Sequence, residues 1–205
     1  MILDDIVSYL KKTNFSLDRF SDDGRINSAV NEPKIIEILM SKFENIKPAK
    51  KREWFDFCYE NNKDFIPINL KITELSTDNL NCKLGIYYAL TGKIPNFTNE
   101  IIWEKFLINL SENLQENNKD YYFLIVNKND LNDIFWTSLK QISQLTPNGN
   151  NLPFQANWAK NKQRENRNFT EAKKFILTTM GKSFKLRANV YTQFIDIFPE
   201  FKGQI

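Results

Sequence analysis

Residues Asp64–Thr73 read DFIPINLKIT and alternate apolar with polar side chains along most of their length. The even positions from 66 to 72 are apolar, whereas Asn69, Lys71 and Thr73 are polar. A period of two is typical of a β-strand that buries one of its faces. Asn69 and Lys71 are therefore predicted to project from the same face of one strand.

A second strand-forming run, Glu53–Tyr59 (EWFDFCY), precedes this stretch, and the polar residues 61–64 lie between the two. Aromatic residues favour strands, and a short polar connection between two such runs predicts a hairpin. In a hairpin the two strands lie side by side. We therefore expect Asp56 to meet Asn69 and Lys71 at one spot.

Asp56 is an acid on one strand, and the next strand carries Asn69, a residue type that can bind a metal, and Lys71 two positions later. This arrangement resembles the PD-(D/E)xK nuclease core of many type II restriction endonucleases. Asn69 stands where the family usually has Asp or Glu, and Phe55 stands where it has Pro. The resemblance implies Mg²⁺-dependent hydrolysis of a phosphodiester bond. It makes Asp56 and Asn69 the metal ligands, and it makes Lys71 the group that orients the attacking water.

Glu32 is the candidate for a further acid at this site. Asn31 is predicted to be the N-cap of a helix that continues to about Glu44, with Glu32 and Pro33 in its first turn. An acid that opens an early helix is similar to the N-terminal helix of the nuclease family, whose acid often faces the metal. Alternatively, the helix dipole alone stabilises Glu32, by ~0.3–1 kcal/mol. Glu32 or Glu74 could replace the charge missing at Asn69.

Composition limits the classes of function that remain open. The chain has 205 residues, 41% of them hydrophobic, which predicts a single domain over residues 1–205. It contains no histidine, and its two cysteines form no C-x-x-C pair, which argues against a zinc site, a disulfide scaffold and Ser-His catalysis. The sequence shows no apolar run of membrane-spanning length and no signal-peptide pattern, so a cytoplasmic location in a prokaryotic cell is predicted.

The order of predicted elements favours an α/β fold. We predict helices over residues 3–12, 99–117 and 137–145. A further helix is predicted to begin with a cap at Thr77 or Asp78, to continue through Leu90 and to stop at Gly92. The continuous apolar run 121–126 predicts a central strand covered on both faces. Helices alternating with strands give a central mixed β-sheet flanked by helices, which the resemblance makes a restriction-endonuclease-like core.

The C-terminal part, about 147–190, is predicted to bind DNA. Residues 155–189 contain nine lysines or arginines and only two acids, which suits phosphate binding, although a solvated helix face remains the alternative. A loop over 146–151, a strand-like segment and a basic helix in this order look like the EcoRV and HincII branch of restriction endonucleases. The candidate contacts are Gln155, Asn157, Lys160, Asn161, Lys162, Gln163, Arg164 and Arg167.

The sequence therefore predicts a sequence-specific endonuclease for double-stranded DNA, with Mg²⁺ as its cofactor and a homodimer as its working form. Two alternatives use the same core: a DNA repair nuclease, and a DNA-binding protein that has lost catalysis, which the missing acid at Asn69 favours. A structural or interaction module without DNA affinity is a fourth possibility.

Overall fold

The computed structural model describes residues 1–18, 24–97, 102–150 and 152–203. The helices are α1 (Ile2–Lys12), α2 (Gly24–Lys42), α3 (Lys83–Thr91), α4 (Trp103–Asn113) and α5 (Phe169–Ile197). The strands are β1 (Ile46–Pro48), β2 (Phe57–Glu60), β3 (Phe65–Thr73), β4 (Thr77–Leu80), β5 (Tyr122–Asn127), β6 (Ile134–Ser138), β7 (Thr146–Pro147) and β8 (Phe154–Asn157). Short 3₁₀ helices span Trp158–Asn161 and Pro199–Phe201.

A five-stranded mixed sheet forms the centre, in the order β1-β2-β3-β5-β6. β3 pairs antiparallel with β2 and parallel with β5, which confirms both the predicted strand over 64–73 and the predicted hairpin. Asp56 lies immediately before β2, and its backbone N–H donates to Ile68 O at 2.9 Å, so the pairing of the two strands extends to it. The buried strand β5 confirms the prediction from the run 121–126.

Helices cover both faces of this sheet. On one face, apolar residues of α1 and α2 pack against Leu70 and Leu124. On the other, residues of α3, α4 and α5 pack against Phe123 and Ile125. Successive side chains of a strand point to opposite faces, so neighbouring residues of β5 contribute to different cores. The prediction of an α/β fold with a central mixed sheet flanked by helices is confirmed.

A smaller sheet of three strands, in the order β4-β8-β7, corrects one prediction. Thr77 and Asp78 do not cap a helix: they begin β4, which pairs antiparallel with β8. Instead of capping, Asp78 Oδ2 accepts a hydrogen bond from Trp158 Nε1 at 2.6 Å. The helix α3 begins only at Lys83, and it ends at Gly92, whose left-handed backbone (φ 70°) fits the predicted stop.

The predicted N-cap at Asn31 is also wrong, because α2 starts at Gly24 and Asn31 lies inside it. The Asn31 side chain is buried and bonds the chain segment before the helix. Its Oδ1 accepts from Asp18 N at 2.8 Å, and its Nδ2 donates to Asp18 O at 2.8 Å. Glu32 is consequently not in the first turn of a helix, although it remains on the predicted element.

Other boundaries differ from the sequence prediction at three places. The prediction of a helix over 137–145 is wrong, because Thr137 and Ser138 are buried in strand β6 and a turn follows. The basic helix begins at Phe169, where Asn168 and Glu171 form a capping box, so Arg164 and Arg167 precede it. Of the helix expected over 99–117, residues 103–113 are helical and 99–101 lie outside the described residues, as does Asn151 of the segment expected to be a loop over 146–151. None of the described helices is long and apolar enough to cross a membrane.

The contact between Gly85 and Tyr121 provides a test of the packing beneath the sheet. A Cβ added to Gly85 would lie 2.5 Å from carbons of the buried Tyr121 ring. We expect Gly85→Ala to lower the free energy of unfolding by about 1–3 kcal/mol, because the core must shift to accept the methyl group. Urea denaturation measures the change.

Gly181→Ala is the matched control, since Gly181 also lies inside a helix but has nothing within 4 Å of its would-be Cβ. There alanine should raise the free energy of unfolding by roughly 0.5–1 kcal/mol. If both variants were stabilised alike, the Tyr121 ring would not be seated against α3.

Candidate active site

A cleft of about 670 Å³ opens beside β3, and Asp56, Asn69 and Lys71 all line it. Asn69 and Lys71 are two positions apart on β3 and therefore share one face of the strand. The hairpin turns the chain back so that Asp56 reaches the same place. The structure thus brings together the three residues that the sequence pattern selected.

Two hydrogen bonds hold Asp56 against β3. Its backbone N–H donates to Ile68 O, and its Oδ2 accepts from Leu70 N at 2.7 Å. Burial raises the pKa of the Asp56 carboxyl, while the Leu70 N–H and the charge of Lys71 oppose that rise. The carboxylate is fixed in direction, and its second oxygen has no hydrogen bond from the residues that the structure describes.

Glu32 is close enough to this group to interact with it, although it is not part of the cleft wall. Burial, followed by the charge of Asp56, raises the pKa of Glu32 from 4.5 to about 7, and Lys71 opposes the rise. Two carboxyls and one ammonium therefore share a small region, and Glu32 exchanges a proton near neutral pH. Glu74, the other acid considered, forms an ion pair with Lys128 at 2.8 Å at the far end of β3.

Tyr121 lies next to the Asn69 side chain, and its place at the site was not predicted from the sequence. Tyr121 is fully buried, and its hydroxyl donates to Trp54 O at 2.8 Å. Burial, with the nearby Cys82 and Asp56, raises the pKa of Tyr121 well above its ordinary value, while hydrogen bonding to the Asn69 side chain opposes the shift. The apolar run 121–126 gave no signal for this role, since it predicts only a core strand.

The Asn69 carbonyl oxygen, Oδ1, is buried without a hydrogen-bond partner among the described residues. Buried polar atoms are nearly always paired, so an unpaired one at a cleft suggests a ligand or ion. Cys82, which also lines the cleft, offers no nucleophile, because burial raises the pKa of its thiol to about 12.

The rim of the cleft carries cations. Arg52 is exposed and has a left-handed backbone (φ 72°), which costs a non-glycine residue about 1–2 kcal/mol. Lys83 also lines the cleft, and its ammonium lies 4.0 Å from the centroid of the Trp103 ring. With Lys71 these groups place three positive charges around the opening, against the acids Glu53 and Asp56.

Two of the predicted DNA contacts lie beside the cleft. Gln155 and Asn157 are on β8, and their partners on β4 are Asn79 and Thr77. The four side chains form the polar face of the smaller sheet, since the intervening Leu80, Phe154 and Ala156 are buried on its other face. Asn79 lines the cleft itself. The sequence did not predict this position, because the residues of β4 have the pattern of a capped helix.

Two other candidates are engaged inside the fold. Asn161 is wholly buried: its Oδ1 accepts from Ser143 Oγ at 2.9 Å and from Gln144 N at 2.8 Å. Arg167 donates to backbone oxygens, the shortest bond being 2.7 Å to Ile142 O. Both side chains hold the turn after β6: the Asn161 amide makes four hydrogen bonds there, and Arg167 makes three with backbone oxygens.

The remaining candidates lie on another part of the surface. Lys162 pairs with Asp133 at 2.7 Å, and the Arg164 guanidinium stacks 3.6 Å from the centroid of the Trp136 ring. With Gln163 they line a groove against α1 and β6 that shares no residue with the cleft. Lys160 is exposed at the end of the first 3₁₀ helix.

Comparison with known proteins adds no assignment, because neither a protein-family model nor a curated protein sequence matches the chain. Within the described residues no group of three or more His, Cys, Asp or Glu could hold a metal ion. Asp56 and the unpaired Asn69 Oδ1 are two oxygen-bearing groups of this cleft that could contact a cation.

The raised pKa of Glu32 predicts how stability changes with pH. Below about pH 4.5 the carboxyl is protonated in both states, and between 4.5 and 7 the folded protein keeps a proton that the unfolded chain has lost. Stability contributed by this group therefore falls as pH rises through that window, and the penalty is complete above pH 7.

Glu32→Gln removes the penalty. One pKa unit corresponds to about 1.4 kcal/mol, and solvent screening reduces the effect at this half-buried position. We expect Glu32→Gln to unfold with a free energy about 1–2 kcal/mol above wild type at pH 8 and close to wild type at pH 4, by urea denaturation. Glu37→Gln, at an exposed glutamate of the same helix, should show no such pH-dependent gain. An equal gain for both variants would place Glu32 away from Asp56.

Proposed function

We propose that this protein is a Mg²⁺-dependent endonuclease that cuts double-stranded DNA at specific sequences, with a restriction-endonuclease-like core. The observation that carries the proposal is the meeting of Asp56, Asn69 and Lys71 at one cleft, with Glu32 in electrostatic contact. Carboxylates gathered beside a lysine of the central sheet are suited to hydrolysis without histidine, which the chain lacks.

The residues present fit Mg²⁺, which prefers oxygen ligands and retains several waters, so few protein oxygens suffice. Asp56 and Asn69 Oδ1 would hold the ion; Asp56 supplies the charge and Asn69 the unpaired buried oxygen. When bound, Mg²⁺ would supply a more acidic water and neutralise charge on the phosphate.

The chain's own groups perform the remaining tasks. Lys71 lines the cleft from β3, where its ammonium would orient the attacking water and offset negative charge on the phosphate. Glu32, with a pKa of about 7, can take up or release a proton at neutral pH. Tyr121, whose hydroxyl donates a hydrogen bond to Trp54 O, lies next to the Asn69 side chain and fixes its position.

DNA would approach over the cationic rim and the polar face of the smaller sheet. Arg52 and Lys83 are placed to contact phosphates, and Gln155 carries an amide that can reach a base edge. The Asn157 side chain caps the first 3₁₀ helix by accepting from Lys160 N and adds to the polar face beside Gln155. These positions adjoin the catalytic cleft, unlike the groove of Lys162 and Arg164. The basic C-terminal segment then adds a general attraction for the DNA backbone.

A homodimer is part of the proposal, because cutting both strands of a symmetric site needs two active sites. The last turns of α5 leave several large apolar side chains exposed, among them Val190 (59% exposed) and Ile197 (69% exposed). Such a row favours burial against another chain.

Cleavage of a phage genome, with Mg²⁺ and with EDTA, tests the proposal directly. We expect wild type to give discrete fragments only with Mg²⁺, and Lys71→Ala to reduce the cleavage rate at least 100-fold, because the water is no longer oriented and the phosphate charge is not offset. Lys12→Ala, at an exposed lysine of α1, is the control and should cut like wild type.

The other outcomes separate the alternatives. Fragments without a shared end sequence would favour a repair-type nuclease. A gel shift without cleavage, unchanged by Mg²⁺, would favour a DNA-binding protein that has lost catalysis. Intact DNA without a gel shift at low salt would overturn the proposal.

Arg52 allows DNA binding to be separated from folding. Glycine adopts the backbone of Arg52 without strain, so Arg52→Gly should leave the free energy of unfolding unchanged or raise it by about 1 kcal/mol. The same change removes a cation from the rim. We expect weaker DNA binding and a slope of log affinity against log salt that is smaller by roughly one.

Arg52→Lys keeps the charge and should retain most of the wild-type slope, as fluorescence anisotropy across a salt series would show. An unchanged slope in Arg52→Gly would mean that Arg52 does not touch DNA.

A further inference from the structure

We propose that Gln155 reads an adenine in the major groove of the DNA, and that Asn79 and Asn148 are positioning residues that hold its amide ready. This inference rests on the proposed function and assigns a base to part of the recognised sequence. It depends on a chain of side-chain hydrogen bonds that crosses the smaller sheet next to the cleft.

Gln155 and Asn79 lie directly opposite each other in the antiparallel pair of β8 and β4. Gln155 Nε2 donates to Asn79 Oδ1 at 3.0 Å, on the polar face of the sheet. Asn79 also lines the cleft that contains Asp56 and Lys71. A base contact by Gln155 would therefore occur close to the phosphate that is cut.

The hydrogen bonds of Asn79 decide which groups remain for DNA. Asn79 Oδ1 accepts from Asn148 Nδ2 at 2.9 Å and from Gln155 Nε2 at 3.0 Å, which uses both lone pairs of that oxygen. Within the described part of the chain, Gln155 keeps its Oε1 and its second N–H without a partner. Gln155 therefore offers one acceptor and one donor side by side.

This pair matches one base edge. In the major groove adenine presents its N6 amino group as a donor and N7 as an acceptor, and a glutamine amide meets both at once. Guanine presents O6 and N7, two acceptors, so Oε1 of Gln155 would face another oxygen. The fixed amide thus discriminates between the two purines.

The far end of the network is anchored in the protein. Asn148 is buried, and its backbone N–H donates to Ser183 Oγ of α5 at 3.0 Å. Ser183 Oγ donates in turn to Pro153 O at 2.6 Å. Asn148 Oδ1 accepts from Asn150 N at 2.8 Å, so its amide orientation is determined. A contact prepared in this way loses little conformational entropy on binding.

The test is to digest a pool of randomised DNA duplexes with Mg²⁺ and to sequence the fragment ends. For wild type we expect a recognised sequence in which at least one position requires adenine. Gln155→Ala should reduce the preference for adenine there about 10- to 100-fold, because a bidentate contact is lost, and should leave the other positions unchanged.

Two substitutions at Asn79 separate positioning from a general structural effect. Asn79→Ala removes the acceptor and should relax the same position as Gln155→Ala. Asn79→Asp retains an oxygen that accepts from both Asn148 and Gln155, so the preference for adenine should persist even if the added charge lowers overall affinity. Gln193→Ala, at an exposed glutamine of α5, is the control for loss of an amide.

Three outcomes would overturn the inference. The first is a recognised sequence without a required adenine. The second is an unchanged preference in Gln155→Ala while wild type cuts normally, which leaves the nuclease intact. The third applies if no DNA is cut, in which case the nuclease proposal fails by itself. The bound fraction of the pool is then sequenced, and an absence of adenine preference there removes the Gln155 proposal as well.

Discussion

The hydrogen bond from Leu70 N to Asp56 Oδ2, 2.7 Å long, is the contact on which the candidate site depends. It joins the segment before β2 to the middle of β3, at the point where regular pairing of the two strands begins. The bond fixes the direction of the carboxylate between Asn69 and Lys71. Loss of this register by one residue would turn Asn69 and Lys71 to the opposite face of the sheet, and the cleft would lose its chemistry.

The neutral Asn69 follows from the charges around it. Burial and then the charge of Asp56 already raise the pKa of Glu32 to about 7, and the charge of Lys71 opposes that rise. A third carboxylate at position 69, buried next to Tyr121, would add electrostatic repulsion and a further desolvation cost. An amide oxygen provides a ligand atom without that electrostatic cost, so an asparagine at position 69 is compatible with the proposed metal site.

Sequence reasoning succeeded where a local pattern determines the structure. The period-two stretch over Asp64–Thr73 and its hairpin follow from neighbouring residues, and with them the meeting of Asp56, Asn69 and Lys71. The sequence prediction failed where distant pairing determines the structure: Thr77 and Asp78 are typical capping residues, but they pair with Asn157 and Ala156 of β8, far along the chain, and so form a strand. Asn31 is diverted from capping by its bonds to Asp18. Asn79 and Tyr121 join the site only through such long-range packing, which no local signal encodes.

The short link between β3 and β4 connects the strand that carries Asn69 and Lys71 to the polar face of the smaller sheet. Lys71 and Asn79 are only eight positions apart, and the chain turns between them at the buried Leu75, whose backbone is left-handed (φ 63°). Leu75 O accepts from Ala159 N at 3.0 Å, so the 3₁₀ helix after β8 holds this turn. A strained, buried turn persists only when its surroundings determine it. Under the proposed function, this turn is the shortest covalent path between Lys71 and the polar face that would contact bases, so a shift of β8 on contact with DNA would act on the turn first.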